Sequence, residues 1–266
     1  MDSIALLTKQ RPSARVRVKR PSERRSLSRS ATRALDVLEF FGEARRPLRA
    51  VEISRVLGMH PSTTNQLLKT MVDSAHLVFD AHSKTYLPSP RLARFSTWIS
   101  NTYGTGGRLH DLVRDVHTRT QMVTTITTPN DLFMQIIDVA ASSEQTTERG
   151  TMISVFGSVI GAAYLSTLPQ TELKRLATRA RIPMAEMPAT WLQAAQVRRD
   201  GYAEGSSTGG EMWSIAMPLP MQGMRVPTVL GLAGSPEQVR KDLLPLINVM
   251  SSAIKRCIID PDIKAS

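Results

Sequence analysis

The sequence predicts an α+β protein: an N-terminal winged helix-turn-helix, a linker helix and a C-terminal domain of mixed helices and strands. Three observations carry this. Over residues 30–87 the apolar spacing gives helix, helix, glycine turn, helix and hairpin in that order. Beyond residue 108 strand-like and helical segments mix without regular alternation. The charge is lopsided: residues 1–100 hold 18 Lys and Arg against 8 Asp and Glu, the rest 16 against 15. Such asymmetry is expected when one part of a chain meets nucleic acid or a membrane surface.

Residues 1–28 read as a flexible basic arm. Arg11, Arg15, Arg17, Lys19, Arg20, Arg24 and Arg25 alternate with prolines and serines, and little apolar surface is available to offset ordering. A solvated tail and an arm touching DNA phosphates both fit this composition. An Arg-rich organelle presequence has a similar composition.

Ala34, Leu38 and Phe41, with Leu35 beside them, mark a first amphipathic helix ending near Gly42. A second covers about Arg49–Leu57, with Val51, Ile53, Val56 and Leu57 apolar, and Gly58 stops it. A third runs from Pro61 or Ser62 to about Ala75; Ser62 is the expected N-cap and Leu67, Leu68, Met71 and Val72 the buried stripe. Leu77–Phe79 and Thr85–Leu87 flank a polar turn and predict a hairpin. Arg91–Tyr103 is the expected linker helix, followed by the Gly-rich stretch Asn101–Arg108.

In the C-terminal part, Leu109, Leu112, Val113 and Val116 give a helix, and Met122–Thr127 and Leu132–Val139 read as strands. A helix is expected within the uncharged Met152–Leu168 segment, and others at Glu172–Ala180 and Thr190–Asp200. A turn from Gly201 leads into Ser206–Gly210, strands follow at Trp213–Leu219 and Thr228–Ala233, and one last helix spans Pro236–Cys257.

Composition excludes several classes. One cysteine, Cys257, permits no intramolecular disulfide and fits a reducing, cytoplasmic setting. No segment has the roughly 20 apolar residues of a membrane span. His60, His76, His82, His110 and His117 form no zinc spacing, and no phosphate loop or nucleophile elbow is present. No catalytic residue, metal or cofactor is therefore expected. His110 and His117, and Asp111 and Asp115, read as a solvated helix side.

The third helix carries the chemistry of DNA reading. Major-groove recognition needs side chains that bond base edges. Asn65 and Gln66 suit adenine, and Lys69, one turn on, reaches a guanine or a phosphate. Ser62 and Thr63 at the helix start, with Arg46 and Arg49 flanking the second helix, suit phosphates. In the wing, His82, Lys84 and Thr85 could meet phosphates or the minor groove. The competing view is a small helical bundle with a solvated polar face; the fold pattern and the charge footprint agree on DNA.

Residues Ser28–Leu92, with Ser62, Thr63, Leu67, Leu68 and Thr70 as their most specific part, resemble the N-terminal module of the IclR family of bacterial transcriptional regulators. Gly150–Pro169 and Val197–Ser206 resemble two of its C-terminal landmarks. The resemblance covers residues 28–260. It implies a DNA-binding domain (29–88), a linker helix and Gly-rich boundary (89–108) and a GAF-like effector-binding domain (109–262), working as a homodimer or dimer of dimers. It places candidate effector contacts at Phe156, Val159, Ile160, Gly205, Ser214, Gly231 and Ala233.

Departures from the family pattern are concentrated there. Phe156 stands for a usual His, Ser214 for a Cys, Gly231 and Ala233 for two serines, and Glu204 and Gly205 where an acid commonly follows. In the DNA module, His60-Pro61 replaces Pro-Lys and Thr64 a common apolar residue. The expected pocket is larger or more apolar than usual, or takes no small acid. Met122, Met134, Met152, Met212, Met217, Met221 and Met224 either adapt to an apolar ligand or fill core gaps.

Three functions remain: a ligand-responsive transcription regulator, repressor or activator; a DNA-binding regulator whose C-terminal domain serves oligomerisation or a protein partner; and an enzyme or membrane-surface protein localised by its basic end. The sequence favours the first, on double-stranded operator DNA. Because most excess charge lies in the arm, deleting residues 1–28 is expected to flatten the salt dependence of DNA binding and leave operator preference intact. Binding titrations over a range of salt check this.

Overall fold

A computed structural model describes residues 28–103, 107–142, 147–207, 210–221 and 224–260. The expected arm, up to residue 27, and the Gly-rich tip at 104–106 lie outside them. The described chain forms two units, one up to Asn101 and one from Thr102.

The first unit is α1 (Arg29–Ala44), α2 (Ala50–Val56), α3 (Pro61–Asp73), β1 (Leu77–Asp80), β2 (Thr85–Pro88) and the start of α4 (Ala93–Tyr103). Its core is Val37, Phe41, Leu48, Ile53, Met59, Leu68, Met71 and Leu77. Strand β1 pairs antiparallel with β2, and Leu48 adds a short bridge to Tyr86.

Local details differ from expectation. Helix α1 runs past Gly42 to a left-handed Arg45, and it buries Val37 and Phe41 while Leu35 stays exposed. In α2 only Ile53 and Ser54 are buried, and Val51 and Val56 face solvent. A seven-residue helix has too few turns to cover four apolar positions.

The second unit holds α5 (Arg108–Thr120), β3 (Val123–Asn130), β4 (Phe133–Ala140), β5 (Met152–Ser154), α6 (Val159–Thr167), α7 (Gln170–Arg179), α8 (Met187–Asp200), β6 (Ala203–Ser206), β7 (Trp213–Pro218), β8 (Val229–Gly234), α9 (Pro236–Lys241) and α10 (Leu243–Ile254). Its sheet is antiparallel in the order β5-β4-β3-β8-β7-β6. Successive strand residues point to opposite faces, so Ile215, Met217, Leu230 and Leu232 join α5 and α10 in one core. Ala203, Ala216 and Val229 join α6 and α8 in the other.

Strands β5 and β6 escape the sequence pattern because three or four residues show no alternation; backbone pairing to β4 and β7 defines them. The expected single C-terminal helix is broken at Asp242. Pro245 fits the first turn of a new helix, where its missing N–H costs no bond. A π-wound turn, Lys255–Ile259, follows.

Helix α6 is buried on nearly every side, from Gly161 to Ser166. A helix apolar all round belongs inside a core. It enters so tightly that a Cβ on Gly161 would collide with the carbonyl of Val155. Gly161→Ala is therefore expected to destabilise the fold by about 1–3 kcal/mol or more, because overpacking forces backbone movement. Gly42→Ala, in open space within α1, is expected to stabilise by about 1 kcal/mol. Thermal unfolding of both variants checks the contrast.

Candidate nucleic-acid interface

The interface begins at the turn between α2 and α3. Gly58 adopts φ +58, which a residue without Cβ enters freely. Buried Ser54 donates from Oγ to the Met59 carbonyl at 2.7 Å, and the Met59 N–H returns to the Ser54 carbonyl at 3.0 Å. These bonds lock the angle between the two helices.

The cap of α3 corrects the sequence expectation. The N-cap is His60, not Ser62, and Pro61 opens the helix. His60 Nδ1 lies 2.8 Å from Ser62 Oγ and accepts the Ser62 N–H at 3.4 Å. Ser62 offers a capping hydroxyl, but Pro61 fixes the helix start and places the cap two residues earlier.

Thr64, where an apolar residue is common in the family pattern, is wholly buried, and its hydroxyl donates to the His60 carbonyl at 3.1 Å. That bond removes the cost of burying it. Leu68 and Met71 are buried beside it, while Leu67 and Val72 are only half-buried.

On the opposite side of α3, Ser62, Asn65, Gln66 and Lys69 are exposed together, and Thr63 is half-buried. Asn65, Gln66 and Lys69 fall at i, i+1 and i+4, so one turn of helix presents two amides and an ammonium.

Glu52 bonds the Arg46 side chain and the backbone of Arg49. Arg46 Nη2 donates to Glu52 Oε1 at 2.7 Å, and the Arg49 N–H donates to Oε2 at 2.8 Å. Arg46 Nη1 donates to the Pro47 carbonyl at 3.1 Å, and the side chain remains exposed. The sequence missed Glu52 as the residue that aims this pair; its position three residues into α2 was the available signal.

In the wing, Asp80 accepts the His82 N–H at 2.9 Å and the Ser83 hydroxyl at 2.6 Å. Lys84, at φ +55, projects exposed from the tip. Thr85 is half-buried, its hydroxyl 2.6 Å from Ser83 Oγ, so it shapes the turn.

The candidate effector positions fall in the second unit. By strand alternation Gly205, Ser214, Gly231 and Ala233 share the sheet face covered by α6. Val159 and Ile160 come down on that face from α6. Phe156, in the loop before α6, packs with Leu132, Phe133 and Ala180 as well as with the α6 core. Met122, Met134, Met217 and Met224 are buried core residues, and Met221 is exposed. His110 pairs with Asp138 at 2.8 Å and His117 Nδ1 meets the Met122 carbonyl at 2.7 Å, so neither is merely solvated. Asp115 bonds Arg119 and Arg256.

Among the described residues no group of His, Cys, Asp and Glu could hold a metal, and no helix is long and apolar enough to cross a membrane.

A glycine-turned helix pair, an exposed polar third helix and a β-hairpin define a winged helix-turn-helix DNA-binding protein. Residues 30–78 match the family model of the IclR helix-turn-helix domain. The chain thus carries a helix-turn-helix domain of the IclR type. It is 22% identical over 214 residues to the HTH-type transcriptional regulator XynR of Escherichia coli, covering 77% of this chain and 85% of that one. Its fold is similar to the crystal structure of an IclR transcriptional regulator from Alicyclobacillus acidocaldarius (17% identity, 87% and 98% of the two chains, TM-score 0.53). It is also similar to that of the Thermotoga maritima IclR (14% identity, 86% and 96%, TM-score 0.51).

The hydrogen bond from Arg46, then the Arg49 N–H, holds the Glu52 carboxyl below its usual range; the Ser83 hydroxyl and then the His82 N–H do the same for Asp80. A lowered folded pKa stabilises above the unfolded value and is lost as pH falls through the folded one. Both contributions are thus complete at neutral pH, start to fall near the usual carboxylate range at about pH 4, and are lost as pH drops through the lower folded values. Glu52→Gln and Asp80→Asn are expected to make the acid-side loss of stability shallower, read from Tm as a function of pH.

Proposed function

We propose that this regulator reads a specific operator with α3, using Asn65, Gln66 and Lys69 on base edges and Ser62, Thr63, Arg46, Arg49 and Lys84 on phosphates. The observation that carries this is the two-sidedness of α3: Thr64, Leu68 and Met71 are buried while Asn65, Gln66 and Lys69 are exposed on one turn. Thr85 supports the wing from within its turn. Two copies presenting two α3 helices would meet half-sites one or more helical turns apart.

For the C-terminal half, two functions stand: sensing a small effector, and assembly or partner binding without one. The side chains at the candidate effector positions favour the second. Phe156, Val159, Ile160, Gly205, Gly231 and Ala233 offer no charge and no side-chain donor, and Ser214 alone offers a hydroxyl. Control then comes through how copies assemble, since any input must favour one DNA-binding arrangement over another.

Gln66→Ala is expected to relax preference at one base position by about 1–3 kcal/mol. Lys84→Ala, at a phosphate contact, should weaken binding to all sequences alike and lower the salt slope by roughly 0.9. Selection from a random DNA pool, followed by titration on selected and altered sites, separates the two. Equal binding of the wild type to all sequences would refute the operator-reading function.

A further inference from the structure

Helix α3 ends in a closed turn. The Ala75 N–H donates to the Val72 carbonyl and the His76 N–H to the Met71 carbonyl, both at 2.8 Å. Two such reversed bonds around a left-handed residue make a Schellman close. The left-handed residue is Ala75, at φ +59, where glycine is the usual occupant. A residue with a Cβ keeps that conformation only where its surroundings fix it.

The closure leaves the carbonyl of Ser74, the C-cap, to find a partner elsewhere. Arg91 is that partner: its Nη1 donates to the Ser74 carbonyl at 3.1 Å. A cation at the carbonyl end of a helix also meets the partial negative charge there. Close by, the Ser89 N–H donates to the His76 carbonyl at 2.9 Å. Both donors lie on the short segment between β2 and α4. Ser89 Oγ accepts the Arg91 N–H at 3.2 Å and caps the tight turn Pro90–Leu92, and α4 follows at once from Ala93. Pro88 and Pro90 flank Ser89 and restrict the backbone on both sides. The root of α4 is thus bonded at two points to the turn that ends α3.

We propose that Arg91 is a positioning residue for base reading: it holds the C-terminal end of α3 against the root of α4 and so sets the angle at which Asn65, Gln66 and Lys69 meet base edges. It acts through α3 and does not itself touch DNA. This rests on the reading of α3 as the operator-reading helix. The start of α3 is already held by Ser54 and His60, and Arg91 holds the other end. A helix of 13 residues is about 20 Å long, so a slight tilt at one end moves the reading turn relative to a groove. Base-edge bonds lose strength steeply with such misalignment. Phosphate contacts carry no sequence information, so they do not depend on that angle for preference. Leu68 and Met71 still anchor α3 in the core, and the contribution of Arg91 is therefore one of aim rather than of folding.

The test uses the full chain, the DNA fragment it selects from a random pool, and a scrambled fragment of the same length. Both fragments are titrated over a range of salt, and Tm is read for each variant. Arg91→Ala is expected to lose about three- to tenfold in affinity for the selected fragment, the scale of one hydrogen bond to a charged group, and to stay within about twofold on the scrambled one. Its salt slope is expected to equal that of the wild type on both fragments. Arg91→Lys, which keeps a cation and a donor, is expected to recover most of the loss. Ser89→Pro removes the second donor at a backbone φ of -68 that proline adopts, and is expected to lower preference in the same way. Ser89→Ala, which removes the hydroxyl alone, is expected to leave preference intact.

A loss shared equally by both fragments, with the salt slope lower by roughly 0.9, would make Arg91 a phosphate contact and overturn the proposal. An Arg91→Ala variant with wild-type preference would overturn it as well. So would a fall in Tm accompanied by parallel losses on the two fragments, which is the mark of a merely structural role. Failure of the operator reading itself would appear separately, as wild-type binding without sequence preference before any substitution is made.

Discussion

The C-terminal domain is organised by the contact between α6 and the chain that delivers it. The Val155 carbonyl lies where a side chain on residue 161 would be, and only glycine lets the helix start there. Ser158 caps the helix from the same turn. Once α6 is seated, its buried side joins Ala162 and Ala163 to Ala194 and Val197 of α8 and to Ala203 and Ala216 of the sheet. Small residues at these positions allow close packing, and dispersion contacts accumulate with each fraction of an ångström gained. Arg198 of α8 completes the fit by donating to the carbonyls of Ser166 and Leu168, two of the groups a helix end leaves unpaired.

The DNA-reading unit depends on a different economy. It is small, its core has eight buried apolar residues, and it cannot lose much to unsatisfied polar groups. Its two buried hydroxyls, Ser54 and Thr64, are both bonded to backbone carbonyls at the turn before α3. Those bonds add rigidity at the point where the helix must be aimed. The amides of Asn65 and Gln66 are left uncommitted to any protein partner among the described hydrogen bonds, which is what base recognition requires. Glu52 extends the same logic to phosphate contact, since it fixes Arg46 from one side and leaves it exposed on the other.

The two units therefore divide labour by chemistry. The first exposes polar side chains from a bonded frame. The second commits Ser158 to a helix cap and Thr127 to a strand carbonyl, and packs α6 over an apolar part of the sheet. Glycine at 231 and the close seating of α6 go together, because a Cβ there would meet both Thr125 and Ile160.

Much of this was legible in the residues. The order of elements in the winged module, the glycine turn, the polar side of α3 and the IclR resemblance follow from spacing and residue type, because side-chain period and backbone conformation are local properties. The positions of β5 and β6, the break at Asp242, the buried edge at Val37 and the His60 cap were not legible. Each is decided by which neighbour the segment meets: an adjacent strand, a proline that restarts a helix, a packing partner, or the turn before α3. The sequence by itself determined the helix-turn-helix order and the polar side of α3. Only the tertiary structure decided what packs on the glycine of β8. Ile160 lies far from Gly231 along the chain, and the contact between them exists only because α6 folds back onto β8.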